Sequence, residues 1–195
     1  MRIVGGRFGG RRLAAPRGEG TRPTAERVRE AIASALEARG WIEGAVVLDL
    51  FAGTGALGLE ALSRGAARAV FVDRDPARAR AIEKAARELG IGDDVRALAL
   101  DLEKPPRAWL GRLPGDEVFD LVFVDPPYAM IAAVTKVLAA LAKSGKLRPG
   151  AAVVVEHARR HPPELPPGFA EIARYRYGDT AVLLSTAPGR MGADT

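Results

Sequence analysis

The chain contains no cysteine, and this absence excludes disulfide bonds and thiolate metal sites. It also contains no asparagine and no glutamine, a loss of thermolabile residue types that is typical of thermophiles, although a GC-rich genome produces the same bias. Only two histidines are present, His157 and His161, and they lie in a proline-rich stretch without the spacing of a metal site or a catalytic triad. We therefore interpret both as loop residues and expect no metal.

Long apolar segments are missing as well. No run approaches the roughly 18 residues that a membrane span requires, and Met1–Gly10 carries basic residues without the apolar core of a signal peptide. A length of 195 residues suits one domain with a large core. We expect a cytoplasmic monomer that does not contact membranes.

Positive charge is concentrated near the amino terminus. Residues 1–29 carry eight arginines and two glutamates, whereas the whole chain has a net charge of only +5. Clustered arginine is the pattern expected of a phosphate-binding surface, and a solvated tail is the alternative. We predict a basic RNA-binding arm or hairpin over residues 1–23, with RNA contacts from Arg2, Arg7, Arg11, Arg12, Arg22 and Arg27.

Hydrophobic periodicity beyond the arm predicts alternating strands and helices. Thr24 is expected to cap a helix that ends at Gly40. The predicted strands are Val46–Leu50, Ala69–Asp73, Val95–Leu100, Leu121–Val124, Ala151–Glu156, Phe169–Tyr177 and Thr180–Thr186. This order predicts an α/β fold with a Rossmann-like, seven-stranded, mostly parallel, doubly wound sheet that ends in an antiparallel hairpin. The domain would cover residues 24–187, with a flexible tail at 188–195.

In the segment Phe119–Tyr128, FDLVFVDPPY, an acid, two prolines and a tyrosine follow directly after an apolar strand. An ionised Asp125 can hold one N–H of an exocyclic base amine, and the Pro126 carbonyl can hold the other. The pair Pro126-Pro127 stiffens this geometry, and Tyr128 offers a flat face for an unstacked base. The alternative is a plain surface turn, but ligand sites of open α/β sheets lie where such strands end. We therefore predict a catalytic loop for amine methylation.

The segment Val46–Gly58, VVLDLFAGTGALG, runs from a strand through a glycine turn into a helix. Its glycines match the spacing of a dinucleotide-binding loop, but the acid Asp49 would sit badly against a pyrophosphate. The Phe51-Ala52 insertion before the first glycine is instead typical of loops that bind S-adenosylmethionine. The alternative is a turn that only packs a helix on a sheet. The predicted cofactor residues here are Asp49, Leu50, Phe51, Ala52, Gly53, Thr54 and Gly55.

Two further acids follow the second and third strands. Asp73 is placed to hold the ribose hydroxyls of an adenosine cofactor, with Arg74 beside it. Asp75 is instead expected to cap the helix that begins at Pro76. Asp101, followed by Leu102, is placed to accept a hydrogen bond from an adenine amine, and an ordinary helix cap is the alternative there.

Together these segments resemble the bacterial 16S ribosomal RNA guanine-N2 methyltransferase family, within the class I methyltransferases. The resemblance rests on RIVGG at Arg2–Gly6, RPT at Arg22–Thr24, RVRE at Arg27–Glu30, LDLFAGTGALGLEALSRGA at Leu48–Ala66 and VDPPY at Val124–Tyr128. It implies S-adenosylmethionine as methyl donor, with S-adenosylhomocysteine as product. It also implies 16S rRNA of the small ribosomal subunit as substrate and no metal.

Two features depart from that family, and two other functions remain open. Leu102 stands where a small residue is usual, and Glu103–Asp116 matches no family segment. The alternatives are an adenine-N6 methyltransferase acting on RNA or DNA and a non-catalytic assembly factor that binds S-adenosylmethionine and RNA. An NAD-dependent oxidoreductase is disfavoured because no second catalytic constellation accompanies the glycine loop.

Overall fold

The structure is a computed structural model that describes residues 1–13 and 23–189. Arg22, a predicted RNA contact, and the part of the predicted tail from residue 190 onward lie outside the described residues. The chain divides into two compact units, Met1–Asp101 and Leu102–Thr195.

Within residues 1–13 and 23–189, four α-helices and seven strands form the fold. The helices are α1 (Pro23–Glu37), α2 (Ala56–Ser63), α3 (Pro76–Glu88) and α4 (Ile131–Lys143). The strands are β1 (Val46–Leu50), β2 (Arg68–Asp73), β3 (Val95–Ala99), β4 (Phe119–Val124), β5 (Leu147–Ala158), β6 (Ala170–Tyr177) and β7 (Thr180–Thr186). The strands form one seven-stranded mixed sheet in the order β3-β2-β1-β4-β5-β7-β6, so the predicted fold is confirmed.

The first unit is built on three parallel strands, with β1 beside β2 and β2 beside β3. Strands β1 and β2 are buried along almost their whole length, as expected of parallel strands covered on both faces. Asp75 caps α3, because its carboxylate accepts a hydrogen bond from the Ala77 N–H at 2.8 Å. Pro76 occupies the first turn of α3, so the predicted helix start is confirmed.

Residues 1–13 fold back on themselves. Arg2 and Arg12 form an antiparallel bridge, and the Ile3 N–H donates to the Arg11 carbonyl at 3.0 Å. A 3₁₀ turn at Gly6–Phe8 lies between these two short arms. The described part of the predicted arm therefore has hairpin-like pairing of its own.

Glu60 of α2 anchors this segment. Its carboxylate is 2% exposed and accepts hydrogen bonds from the N–H groups of Val4 and Gly5, both at 2.8 Å. The Arg64 guanidinium lies 2.8 Å from the same carboxylate, and that of Arg29 lies 3.9 Å away. Three of the sequence motifs that carried the family resemblance therefore meet at one buried acid.

The second unit contains β4 and β5 in parallel, followed by the antiparallel neighbours β7 and β6. Helix α4 buries Val134, Val137, Leu138 and Leu141. The unit also contains the unmatched segment Glu103–Asp116, which folds into two 3₁₀ turns around the buried ring of Trp109. The Trp109 indole N–H donates to the Lys104 carbonyl at 3.2 Å, so this segment is packed.

Three sequence-based predictions need correction. Helix α1 begins at Pro23, so Thr24 lies inside its first turn and not at the cap. Strand β5 begins at Leu147, before the predicted Ala151, because its exposed residues 148–150 are accommodated by a register shift against β4. The same strand extends to Ala158, so His157 is a buried strand residue and not a loop residue.

No helix within the described residues is long and apolar enough to cross a membrane.

Candidate functional site

The glycine loop of the first unit is a strained turn between β1 and α2. Phe51 has φ +58°, and within residues 1–13 and 23–189 no other non-glycine residue has a positive φ. Gly53 and Gly55 follow with φ of +55° and +74°, which glycine adopts at low cost. The Ala52 N–H donates to the Val72 carbonyl at 3.0 Å, which ties the turn to β2. Strain of this kind is typical of ligand-binding turns.

A side chain would meet different surroundings at Gly53, Gly55 and Gly58. A Cβ on Gly58 would lie 2.4 Å from the Phe71 ring, and one on Gly55 would lie 3.0 Å from the Ile82 side chain, so both allow close packing. A Cβ on Gly53 would meet nothing nearer than the Phe51 carbonyl oxygen at 3.9 Å. Gly53 therefore leaves space beside the loop, as a ligand-binding turn requires.

Asp73 at the end of β2 holds the loop in place. Its Oδ2 atom accepts a hydrogen bond from the Gly53 N–H at 2.8 Å and lies 3.4 Å from the Arg78 guanidinium. Its Oδ1 atom accepts the Asp75 N–H at 2.9 Å. A carboxylate has about four acceptor positions, so Asp73 retains capacity for one hydroxyl. Holding both ribose hydroxyls would require the long Arg78 contact to give way.

Asp49 lies within β1, one residue before its end, and its side chain is 1% exposed. Its Oδ2 atom accepts the Gly58 N–H at 2.9 Å, which satisfies a backbone donor in the first turn of α2. Arg74 is exposed, and Asp101 is partly exposed two residues beyond the end of β3. The structure thus gives Asp49 and Asp73 structural hydrogen bonds to backbone N–H groups that the sequence reasoning had missed.

The second unit carries the predicted catalytic loop. Strand β4 ends at the buried Val124, and Asp125 follows as an exposed residue. Pro126 is buried and Pro127 is exposed, and the Met130 N–H donates to the Pro127 carbonyl at 2.7 Å. The backbone of Tyr128 begins the 3₁₀ turn Tyr128–Met130. The loop is therefore a compact turn.

The carboxyl group of Asp125 has a perturbed acidity. Although solvent reaches this residue, surrounding protein atoms displace much of the water around its carboxyl group. This desolvation raises the pKa of Asp125 from 3.8 to about 6. Raised carboxyl pKa values are typical of acid–base groups in functional sites.

A cavity of about 410 Å³ lies in the same unit. It is lined by Leu102 and by the first part of the following segment, from Glu103 to Trp109, together with Ala129, Met130 and the first half of α4. Leu102, predicted to contact the cofactor, is buried and lines this cavity. Its volume falls within the roughly 300–1,000 Å³ of ligand pockets. The segment that matched no family pattern therefore forms a pocket wall.

The predicted RNA-binding arginines within the described residues are all exposed: Arg2, Arg7, Arg11, Arg12 and Arg27. Their surroundings differ, since Arg2 lies 3.8 Å from the Glu26 carboxylate and Arg11 donates to the Glu88 carbonyl at 3.1 Å. Among residues 1–13 and 23–189, no group of three or more His, Cys, Asp or Glu side chains is arranged to hold a metal ion.

Comparison with known proteins identifies similar chains over nearly the whole length. Residues 1–186 match the family model described as conserved hypothetical protein 95. YlbH of Bacillus subtilis, named as a candidate rRNA methyltransferase, is 33% identical over 187 residues, which cover 94% of this chain and 97% of that protein. Ribosomal RNA small subunit methyltransferase D of Haemophilus influenzae is 32% identical over 166 residues, which cover 83% and 81%.

Structural comparison agrees with the sequence match. The structure of yhhF from Escherichia coli, named as a candidate methyltransferase, superposes with a TM-score of 0.80 at 32% identity, covering 97% of this chain and 99% of that one. The resemblance drawn from the sequence motifs is confirmed: the chain belongs to the conserved hypothetical protein 95 family, which includes the small-subunit ribosomal RNA methyltransferases D.

Proposed function

We propose that this protein is an rRNA methyltransferase that uses S-adenosylmethionine to methylate the exocyclic N2 amine of a guanine in 16S rRNA. Asp125 carries the proposal, because it is a carboxylate of raised pKa on a proline-stiffened turn directly after the buried strand β4. Membership of a family that contains small-subunit rRNA methyltransferases supports RNA as the substrate.

The residues of the first unit fit the proposed cofactor. Gly53 leaves space beside the strained loop, and Asp73 keeps acceptor capacity for a ribose hydroxyl. When bound, S-adenosylmethionine supplies an electrophilic methyl group, and S-adenosylhomocysteine is left as product. Asp49 and Asp73 also shape the loop through the N–H groups of Gly58 and Gly53.

The catalytic loop would orient the amine and remove its proton. The ionised Asp125 carboxylate accepts one N–H of the amine, and the Pro126 carbonyl accepts the other. These two bonds favour a pyramidal nitrogen whose lone pair is available for attack. Asp125 then takes the proton that the nitrogen loses, and a pKa of about 6 makes it a better base than an ordinary aspartate at neutral pH.

The target guanine has to leave its stack before it can reach the loop, which costs a few kcal/mol. Stacking on Tyr128 is predicted from the sequence to return roughly 1–3 kcal/mol. The exposed arginines of the amino-terminal arm are proposed to hold phosphates, which positions the RNA without reading its sequence.

The decisive experiment follows labelled methyl from S-adenosylmethionine into unmodified small ribosomal subunits, naked 16S rRNA and duplex DNA, with nucleoside analysis of the products. We expect N2-methylguanosine from subunits or RNA. Label in N6-methyladenine would show that adenine and not guanine is the target base, while the proposed role of the catalytic loop would stand. No label anywhere, with S-adenosylmethionine binding intact, would refute the methyltransferase proposal and favour the non-catalytic alternative.

The assignment of Asp125 has its own test. We expect Asp125→Ala to abolish methyl transfer while S-adenosylmethionine still binds, because the carboxylate acts on the amine and not on the cofactor. An active Asp125→Ala enzyme would refute this role.

A further inference from the structure

Three strands of the second unit end at the same edge of the sheet. Strand β5 is parallel to β4, while β7 is antiparallel to both β5 and β6. Strands β4, β5 and β6 therefore run in one direction, and their carboxyl ends share one edge. Asp125 lies at this edge, directly after β4.

The pairing register gives the distance across the edge. Val124 of β4 is opposite Val155 of β5, so Asp125 begins the edge beside Glu156. One position further, His157 of β5 is opposite Ala181 of β7, which is opposite Arg176 of β6. Three strand spacings of roughly 4.8 Å separate β4 from β6. The Arg176 backbone thus lies about 14 Å from the strand that carries the catalytic loop.

Arginines occupy this edge. Arg159 and Arg160 form the turn directly after β5, and both are exposed, as is Arg176. The Arg159 N–H donates to the Asp179 carbonyl at 2.8 Å, which joins the turn after β5 to the tip of the β6–β7 hairpin. Arg159, Arg160 and Arg176, here called the edge arginines, are therefore held on backbone that is fixed relative to β4.

A fourth arginine provides an internal contrast. Arg174 lies two residues before Arg176 on β6, so it points to the same face of the strand. Its guanidinium is 2.8 Å from the Glu171 carboxylate, and this hydrogen bond raises the pKa of Arg174 and neutralises its charge locally. Arg174 is also further from the carboxyl edge. Charge available for a ligand is thus concentrated at the end of the strand nearest the catalytic loop.

We propose that the edge arginines bind phosphates of the RNA strand next to the target nucleotide, and so form a second RNA-binding surface besides the amino-terminal arm. The inference rests on the proposed rRNA substrate. Phosphate is a suitable ligand for exposed guanidinium groups, because it accepts paired hydrogen bonds from the planar fork. A separation of about 14 Å from β4 lets a strand that enters the catalytic loop continue along the sheet edge.

The neighbouring charges define a second signature. Asp179 is exposed at the hairpin tip, and its carboxylate opposes phosphate binding there. Removing this charge with Asp179→Asn should therefore tighten RNA binding, which is the opposite of the effect of losing an edge arginine. If these residues only stabilised the fold, Asp179→Asn would not raise the affinity for RNA while loss of an edge arginine lowered it.

The test compares Arg176→Gln with Arg174→Gln, two changes on the same face of one strand that alter the net charge equally. Binding of naked 16S rRNA is measured as a function of salt, and methyl transfer is measured with varied RNA and with varied S-adenosylmethionine. Each lost phosphate contact should weaken binding about fivefold near 0.1 M salt, since the slope is roughly 0.7 per contact for single strands. Arg159→Gln/Arg160→Gln should weaken it about 25-fold.

The expected pattern is a raised KM for RNA in the edge variants, with kcat and the KM for S-adenosylmethionine unchanged. The effect of Arg174→Gln should be smaller, because it removes no phosphate contact and only leaves the Glu171 carboxylate without its partner. Equal losses in Arg176→Gln and Arg174→Gln would overturn the proposal, because net charge alone would then explain them. A loss confined to assembled subunits would place a ribosomal protein on this edge and also overturn it. Absence of methyl transfer by the unaltered enzyme would instead refute the proposed function.

Discussion

As the pH is lowered, Asp125 should become protonated at a higher pH than an ordinary aspartate, and the methyl transfer rate should fall with it. With a pKa of about 6, roughly 9% of this group is ionised at pH 5, whereas about 94% would be ionised at the unshifted value of 3.8. Only the ionised form can take the proton from the amine, and it is also the stronger acceptor of the amine N–H. The value of kcat/KM should therefore fall about tenfold from its plateau by pH 5, with an inflection near pH 6.

The assay measures kcat/KM for RNA between pH 5 and 8 at saturating S-adenosylmethionine. His161 is an exposed imidazole away from the catalytic loop in the chain, so His161→Ala is the matched control and should keep the inflection. A rate that stays constant down to pH 5, or an inflection that disappears in His161→Ala, would refute the role given to Asp125.

The same shift makes a prediction for stability. Because desolvation raises the pKa of folded Asp125, the folded state binds the proton more tightly than the unfolded state. Its contribution to stability is therefore lost as pH rises from about 4 to 6, the window between the two pKa values. Asp125→Asn should melt at the same temperature as the unaltered protein near pH 4 and at a higher temperature above pH 6. An equal difference at both pH values would contradict this account.

Three further outcomes are expected. Glu60→Gln should lower the free energy of unfolding by about 3 kcal/mol, because it breaks buried ion pairs. The melting temperature should fall by roughly 6–12 °C and hydrogen exchange in residues 1–13 should become faster. The control Glu88→Gln, at an exposed position, should change both little. Gly58→Ala should destabilise by roughly 1–3 kcal/mol because its Cβ would lie 2.4 Å from a buried ring, while Gly111→Ala, with open space around it, should be neutral or mildly stabilising in thermal melts. Tyr128→Ala should raise the KM for RNA, and Tyr128→Phe should be mild because stacking survives; equal effects of both would indicate a role for the hydroxyl.

Apolar runs located the strands well, because a buried parallel strand is apolar on both faces and its ends coincide with the ends of the run. Strands β1 and β7 begin and end at the predicted residues. Strand β5 was predicted too short, because the dipeptide Pro149-Gly150 favours a turn over a strand. The residues 148–150 are exposed and lie where the register against β4 shifts, which only the partner strand reveals.

The sequence also located the candidate site residues, but it could not apportion their hydrogen bonds. Asp49 and Asp73 were predicted from their positions at strand ends, as ligands of a cofactor. In the structure both first satisfy backbone N–H groups, those of Gly58 and Gly53, which are nine and 20 residues away in the chain. A spacing pattern cannot show such pairs, because it is the turn that brings donor and acceptor together. Only the acceptor capacity left over is available to a ligand.

The arginine-rich arm also shows that sequence alone does not reveal which charged residues are engaged in contacts within the protein. Charge counting treats Arg2 and Arg29 alike, yet Arg2 is exposed while Arg29 is buried beside Glu60. Glu60 lies on α2, the helix that begins immediately after the glycine loop. The Thr54 hydroxyl of that loop also lies 3.4 Å from the Met1 sulfur. The segment proposed to hold RNA and the loop proposed to hold the methyl donor are thus attached to one helix, which explains why the motif continues past the glycines to Arg64.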